Sequence, residues 1–96
     1  MAFTHIVMFK WNSADVDAAG IAGALRSLVA RFDGVRGYLC GSDAGLSPEA
    51  YDFAIVATFE DRESFIAYRD HPDHQRIVAE MIRPHLQSRT AAQLES

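Results

Sequence analysis

Four histidines and a tyrosine carry the clearest potential for acid–base chemistry in this chain. Three of the histidines, His71, His74 and His85, lie in the last third, where the segment AYRDHPDHQR spaces Tyr68, His71 and His74 three residues apart. A neutral imidazole, with a pKa of about 6.5, suits a general base at working pH. A phenol hydroxyl can donate a hydrogen bond to a developing enolate oxygen. A set of His5, Tyr68 and His74 in one pocket would therefore suit proton removal next to a carbonyl, with an imidazole as base and the phenol as hydrogen-bond donor to the oxygen.

The same spacing has a structural interpretation. Tyr68 would then be a core aromatic with its hydroxyl at the rim, His71 a helix cap and His74 a solvated residue. Taken alone, the spacing favours this structural interpretation, because such pairs are common in small domains. Other residues must join the set before chemistry is the better explanation.

A metal site is a further alternative for the histidines. His71 and His74 have a two-residue spacing that resembles a pair of imidazole ligands, with His5 or Glu80 as a third ligand. Pro72, however, breaks the helix between the two histidines, and no cysteine or carboxylate stands at a recognised offset. We therefore expect no metal.

Nucleophilic and cofactor-dependent chemistry have little support. The sequence lacks a Gly-x-Ser-x-Gly motif and a glycine-rich phosphate loop, so no nucleotide and no cofactor is expected. Cys40, the only cysteine, is expected to be a small core residue. A single cysteine also permits no internal disulfide, which makes a reducing cytoplasm the expected location.

The elements that must position these residues follow from hydrophobic spacing and turn signals. Period-two apolar segments predict strands, apolar residues at three- and four-residue spacing predict helices, and glycine or proline ends them. The expected order is a strand over Phe3–Trp11, a helix over about Ala14–Phe32 capped at Asn12-Ser13, strands over Val35–Cys40 and Tyr51–Phe59, a helix after Asp61, a second helix beginning at Pro72, and an edge strand around Ser88–Leu94.

This β-α-β-β-α-β order, with the second helix broken in two, predicts a ferredoxin-like α+β domain over residues 1–96 with one four-stranded antiparallel sheet. The odd-numbered positions of the first strand should face the helices. Strand alternation then predicts a substrate pocket between sheet and helices. His74 and Tyr68 are expected at this pocket as catalytic residues. The residues expected to bind the substrate there are His5, Val7, Phe9, Phe53 and Ile55.

The other face of the sheet has nothing within the chain to cover it. Ile6, Met8, Ala54 and Val56 are predicted to lie there, in a chain that is 49% hydrophobic although it has only 96 residues. A domain of this size buries only about two-thirds of its unfolded surface. Packing of sheet against sheet in a homodimer accounts for the apolar excess.

Charge excludes some other partners. With 9 Lys and Arg against 13 Asp and Glu, the chain has a net charge of −4, which argues against nucleic acid or an anionic membrane surface. No apolar segment approaches the roughly 20 residues of a membrane span. A small hydrophobic ligand and a second copy of the chain are the partners that the sequence favours.

Three segments, HIVMFKW, YDFAIVATFEDRESFIAY and YRDHPDHQ, resemble the stress-responsive dimeric A/B barrel (Dabb) family over essentially the whole chain. The resemblance implies a ferredoxin-like fold and dimerisation through the sheets into a closed barrel. The family includes olivetolic acid cyclase-type proteins, which perform an aldol-type polyketide cyclisation. That comparison implies His74 as base, Tyr68 as its assistant and His5 as a pocket residue, and it places Phe53 where the cyclase has a further histidine.

Three hypotheses follow from the residues and the resemblance. The first is a homodimer whose pocket binds a hydrophobic, carbonyl-bearing molecule and performs cofactor-free acid–base chemistry with His74 and Tyr68. The second is a stress-induced dimer with a structural or interaction role and no catalysis. The third is a cofactor-free monooxygenase or isomerase of the dimeric barrel type.

Overall fold

The computed structural model describes residues 1–96 and forms one antiparallel sheet of four strands, with the helices packed on one of its faces. The strands are β1 (Phe3–Trp11), β2 (Val35–Ser42), β3 (Phe53–Phe59) and β4 (Leu86–Glu95), and the helices are α1 (Ala18–Val29), α2 (Arg62–Asp70) and α3 (Pro72–Ile77). The strand order across the sheet is β2-β3-β1-β4. This arrangement confirms the predicted α+β, ferredoxin-like fold.

The first strand is central, as its apolar residues on both faces predicted. β1 pairs with β3, placing Val7 opposite Ile55, and with β4, placing His5 opposite Gln93. The odd-numbered side chains of β1 point toward the helices, and Val7 is only 3% exposed. The edge position predicted for the last strand is also confirmed, although β4 extends beyond Ser88–Leu94 at both ends.

Helix α1 is shorter than the predicted segment Ala14–Phe32. It begins after Asp17, whose carboxylate accepts a hydrogen bond from the backbone N–H of Gly20 at 3.0 Å. A side chain at position 20 would collide with that carboxylate, so glycine allows this cap. The predicted cap at Asn12-Ser13 is therefore wrong. Beyond Ala30 the chain tightens into a turn, in which the N–H of Phe32 bonds to the carbonyl of Val29.

The β2–β3 hairpin also differs from its predicted boundaries. β2 continues past Cys40 to Ser42, and β3 begins at Phe53 instead of Tyr51. Asp52 explains the later start, since its carboxylate accepts the Trp11 N–H at 2.8 Å while its own N–H bonds to the Phe9 carbonyl. Asp52 thus fastens the loop to β1.

The broken second helix forms as predicted. The carboxylate of Asp61 caps α2 by accepting the Ser64 N–H, and Pro72 is the first residue of α3. After α3 the chain continues through a π-helical turn, Val78–Ile82, and a short 3₁₀ turn, Arg83–His85, into β4. None of the helices combines the length and the apolar composition that a membrane span requires.

The hydrophobic core lies between the helices and one face of the sheet. Its fully buried side chains include Phe53, Phe59, Ile21 and Leu25. The opposite sheet face has no helix over it. The predicted face residues pair across the strands there, Ile6 with Val56 and Met8 with Ala54.

Candidate functional site

A cavity of about 510 Å³ opens between the sheet and the helices. It is lined by 18 residues, 11 of them hydrophobic. Six of the seven predicted site residues are among them: His5, Val7, Phe9, Ile55, Tyr68 and His74. The fold therefore brings residues from β1, β3, α2 and α3 to one space.

Phe53 is the predicted site residue that does not line this cavity. It is 1% exposed and packs against Phe9 and Trp11, with ring centroids 6.1 and 5.8 Å away. The side chain of Phe53 points toward the helices, as predicted, but Phe53 is the first residue of β3, where Trp11 packs against the core. Phe53 is therefore a core residue that does not line the cavity between sheet and helices.

Tyr68 and His74 meet across the break between α2 and α3, with ring centroids 4.5 Å apart. The break has a local cause. His71 is extended at φ −63° and ψ 136°, and its Nδ1 accepts the Asp73 N–H at 3.1 Å as the cap of α3. Pro72 then starts the new helix. His71 is thus the helix cap of the structural interpretation, whereas His74 is partly buried against Tyr68.

One hydrogen bond fixes the proton position on His74. Its Nδ1 lies 3.0 Å from the carbonyl oxygen of Arg69, and a carbonyl only accepts, so Nδ1 carries the proton and donates it. Nε2 then keeps its lone pair. Burial lowers the pKa of His74 below its usual value, which favours the neutral form at pH 7. His74 has the protonation state of a general base.

His5 has the opposite tautomer. The side-chain amide nitrogen of Gln93 donates to its Nδ1 at 2.9 Å, which leaves the proton of the neutral ring on Nε2. Burial, with smaller contributions from Arg89 and His74, lowers the pKa of His5 to about 4. The ring also packs against Phe65, with centroids 4.8 Å apart. His5 is therefore a neutral hydrogen-bond donor.

Tyr38 is a cavity residue that the sequence reasoning missed. It lies on β2 opposite Ala57, and its hydroxyl oxygen is 3.3 Å from that of Tyr68. Burial raises the pKa of both phenols, to about 12 for Tyr68, so both keep their protons. One hydroxyl donates to the other, which leaves one proton for a ligand. Alternation along β2 was the signal that could have identified Tyr38 as facing the helices.

The polar rim of the cavity was also missed. It consists of Arg69, Gln75, Arg83, Arg89 and Gln93. Arg89 and Gln93 come from β4, where they pair with Phe9 and His5 of β1, 80 and 88 positions earlier in the chain. No local motif in the sequence indicates that proximity.

The other two histidines do not join the site. His71 serves α3 as its cap, and His85 lies in the 3₁₀ turn outside the cavity. No three His, Cys, Asp or Glu side chains come together in a geometry that would hold a metal ion. The acid–base groups that line the cavity are therefore His5, His74 and the two tyrosines, Tyr38 and Tyr68.

Comparison with known proteins places this architecture in a family. The family model of the stress-responsive A/B barrel domain matches residues 3–96. The stress-response A/B barrel domain-containing protein DABB1 of Arabidopsis thaliana is 36% identical over 81 residues. These residues cover 79% of this chain but only 39% of DABB1.

Solved structures show the same fold. A dimeric ferredoxin-like protein of unknown function from Thermobifida fusca is 37% identical and has a TM-score of 0.89, over all of this chain and 92% of its own. SnoaB, a cofactor-independent oxygenase from Streptomyces nogalater, has a TM-score of 0.80 at 13% identity, over 99% of this chain and 92% of its own. At this identity the similarity to SnoaB concerns the fold alone. Since the family model spans nearly every residue, the chain belongs to the stress-responsive A/B barrel domain family.

Proposed function

We propose that this protein is a homodimer whose cavity binds a small hydrophobic carbonyl compound and removes a proton from the carbon next to that carbonyl, without a cofactor. One observation supports this above all. His74, as an unprotonated Nε2, and the protonated hydroxyls of Tyr68 and Tyr38 share a mostly apolar cavity. A base and an oxyanion donor are the two groups that enolisation requires.

The proposed reaction has two steps. His74 Nε2 takes the proton, and the electrons of the broken C–H bond form the enolate, whose oxygen accepts a hydrogen bond from the Tyr68–Tyr38 pair. The enolate carbon then attacks a second carbonyl of the same molecule, forming a C–C bond and an alkoxide. The imidazolium of His74 returns the proton to that alkoxide, which completes an aldol-type ring closure. His5 Nε2–H is a second donor for the oxygen that carries the charge.

The cavity suits an organic substrate in size and in wall chemistry. Its volume of about 510 Å³ lies within the range of roughly 300–1,000 Å³ found for small-molecule sites. Val78 and Ile82, at the two ends of the π-helical turn, line it. Single π-helical turns are frequent at functional sites. The irregular turn therefore supports the assignment of a ligand site.

The proposed dimer interface is the uncovered face of the sheet. Large apolar side chains are exposed on it, with Leu39 at 72% and Leu94 at 56%. Val56, which pairs with both Leu39 and Ile6, connects these residues across the strands. The Thermobifida fusca relative is described as dimeric. A second copy packed against this face would remove its apolar surface from water.

Proton exchange tests the chemistry directly. An acetoacetyl thioester of N-acetylcysteamine in D₂O should lose its α-proton NMR signal faster with the protein than in matched buffer. His74→Ala should slow the catalysed rate by about 10²-fold or more, as expected for loss of a general base. Tyr68→Phe should slow it about tenfold, less than complete loss of an oxyanion donor, because Tyr38 keeps its hydroxyl.

The matched control is His85→Ala, which removes an imidazole outside the cavity. It should leave exchange at the wild-type rate. Exchange no faster than in buffer, or equal rates for wild type and His74→Ala, would overturn the catalytic proposal and favour a binding or structural dimer.

A further inference from the structure

The charged residues of the cavity lining all have one sign. They are Arg69, Arg83 and Arg89, and no Asp or Glu is among the 18 lining residues. This contrasts with the whole chain, which has more acidic than basic residues and a net charge of −4. A cleft lined by charge of one sign concentrates its field and attracts ions of the other sign.

Two of these guanidinium groups have no partner within the chain. Arg69 is neutralised by Asp70, which it contacts from two nitrogens at 2.8 and 3.2 Å. Arg83 and Arg89 make no ion pair. Outside the cavity, four arginines pair with carboxylates, and Lys10 and Arg26 donate to backbone carbonyls. The two arginines without either kind of partner, Arg83 and Arg89, therefore both belong to the cavity rim.

The unpaired charge of Arg89 lies near the acid–base residues of the cavity. Arg89 is close enough to His5 to help lower the pKa of that imidazole. His5 in turn presents a neutral Nε2–H, and Gln93 lies beside it on β4. An anion near Arg89 therefore also meets an uncharged hydrogen-bond donor, while the apolar wall of Val7, Phe9 and Ile55 continues inward.

We infer that the cavity takes an amphipathic carboxylate, whose anionic head lies between Arg83 and Arg89 and whose apolar body extends toward Tyr68 and His74. A guanidinium group matches the two oxygens of a carboxylate and holds them in one plane. Anchoring one end of the molecule orients the rest in the cavity. The inference deepens the proposed function, on which it rests, by naming its substrate class as carbonyl compounds that also carry a carboxylate.

Calorimetric titration with three eight-carbon probes tests this inference. At 20 mM NaCl, octanoate should bind wild type at least tenfold more tightly than octanamide, and octyl phosphate should bind no more tightly than octanoate. Raising NaCl to 0.5 M should weaken octanoate binding and leave octanamide binding unchanged, because salt screens exposed charges. The double variant Arg83→Gln/Arg89→Gln should bind octanoate and octanamide equally.

Arg36→Gln is the matched control, since Arg36 is exposed, lies outside the cavity and faces Glu60. It should keep the wild-type preference for octanoate. Equal binding of octanoate and octanamide by wild type, or a preference that survives in the double variant, overturns the inference but leaves the cavity as a ligand site. Tighter binding of octyl phosphate overturns the choice of a carboxylate. Absence of binding by all three probes contradicts the proposed function as well.

Discussion

Mild acid should destabilise this fold, because the fold holds His5 in its neutral form. Burial lowers the pKa of His5 from 6.5 to about 4, whereas the unfolded chain protonates it at the ordinary value. Between these values the unfolded state binds more protons than the folded state. The stabilising contribution is therefore complete above pH 6.5 and is lost as the pH falls toward 4.

The size of the effect follows from the same values. At about 1.4 kcal/mol per pKa unit, the difference sets an upper bound of about 3.4 kcal/mol for His5, which is reached only when the ring is protonated in both states. The ring is only partly buried, so solvent screening reduces the expected loss to about 1–2 kcal/mol. About 1 kcal/mol of this should be lost by pH 5. His74, whose pKa is also lowered by burial, adds a loss of the same sign.

Urea denaturation at pH 7.5 and pH 5.0 measures this loss, with protein concentration fixed because a dimer's stability depends on it. His5→Gln removes the titrating ring but keeps an acceptor for Gln93, so it should lose clearly less stability than wild type over this interval. Arg89→Gln is the comparison variant. Between pH 7.5 and 5.0 this variant should lose nearly as much free energy of unfolding as wild type does. Burial is the main cause of the lowered pKa of His5, and Arg89 is a smaller one.

The carboxylates whose pKa values are lowered do not account for a loss in this interval. The pKa values of Asp61, Asp73 and Glu95 are lowered by their hydrogen bonds, so their contributions are lost only at more acidic pH. A wild-type stability that is the same at pH 7.5 and 5.0, or a His5→Gln variant that loses as much as wild type, would refute the reasoning about His5.

Two further predictions concern the core and the uncovered sheet face. Phe59→Ala should lower the free energy of unfolding, measured by urea denaturation, by about 3–5 kcal/mol, because Phe59 is fully buried and contacts Phe65 and Tyr68. Ile66→Ala, at an exposed site, should lower it far less. Leu39→Lys should shift a dimer to a monomer in analytical ultracentrifugation with an unchanged circular dichroism spectrum, whereas Leu46→Lys in the exposed β2–β3 loop should remain dimeric. Wild-type protein that sediments as a monomer at micromolar concentration would contradict the proposed interface.

Elements with local determinants were predictable from the sequence. The boundaries of β1 follow from its apolar residues, and the break at His71-Pro72 follows from the fixed backbone of proline. The start of α1 was not predictable in the same way, because two capping sites compete. Ser13 and Asp17 are both good N-cap residues, and only the structure shows that Asp17 caps the helix.

The site divides similarly into local and non-local parts. Strand alternation and the helix break were enough to bring His5, Tyr68 and His74 together. Alternation gives the face of a strand but not the position along it where the cavity lies, so it could not indicate that Phe53 lies outside the cavity. Arg89 reaches the cavity only through the pairing of the two terminal strands, which depends on tertiary packing.

The tautomer of His74 is the most direct test of the central claim, because the proposed chemistry requires an unprotonated Nε2 in the cavity. Long-range ¹H–¹⁵N NMR spectra at pH 7 distinguish protonated from unprotonated ring nitrogens. The structure predicts a neutral His74 with its proton on Nδ1 and a neutral His5 with its proton on Nε2. A His74 ring that is charged at pH 7, or that carries its proton on Nε2, would contradict its role as the base.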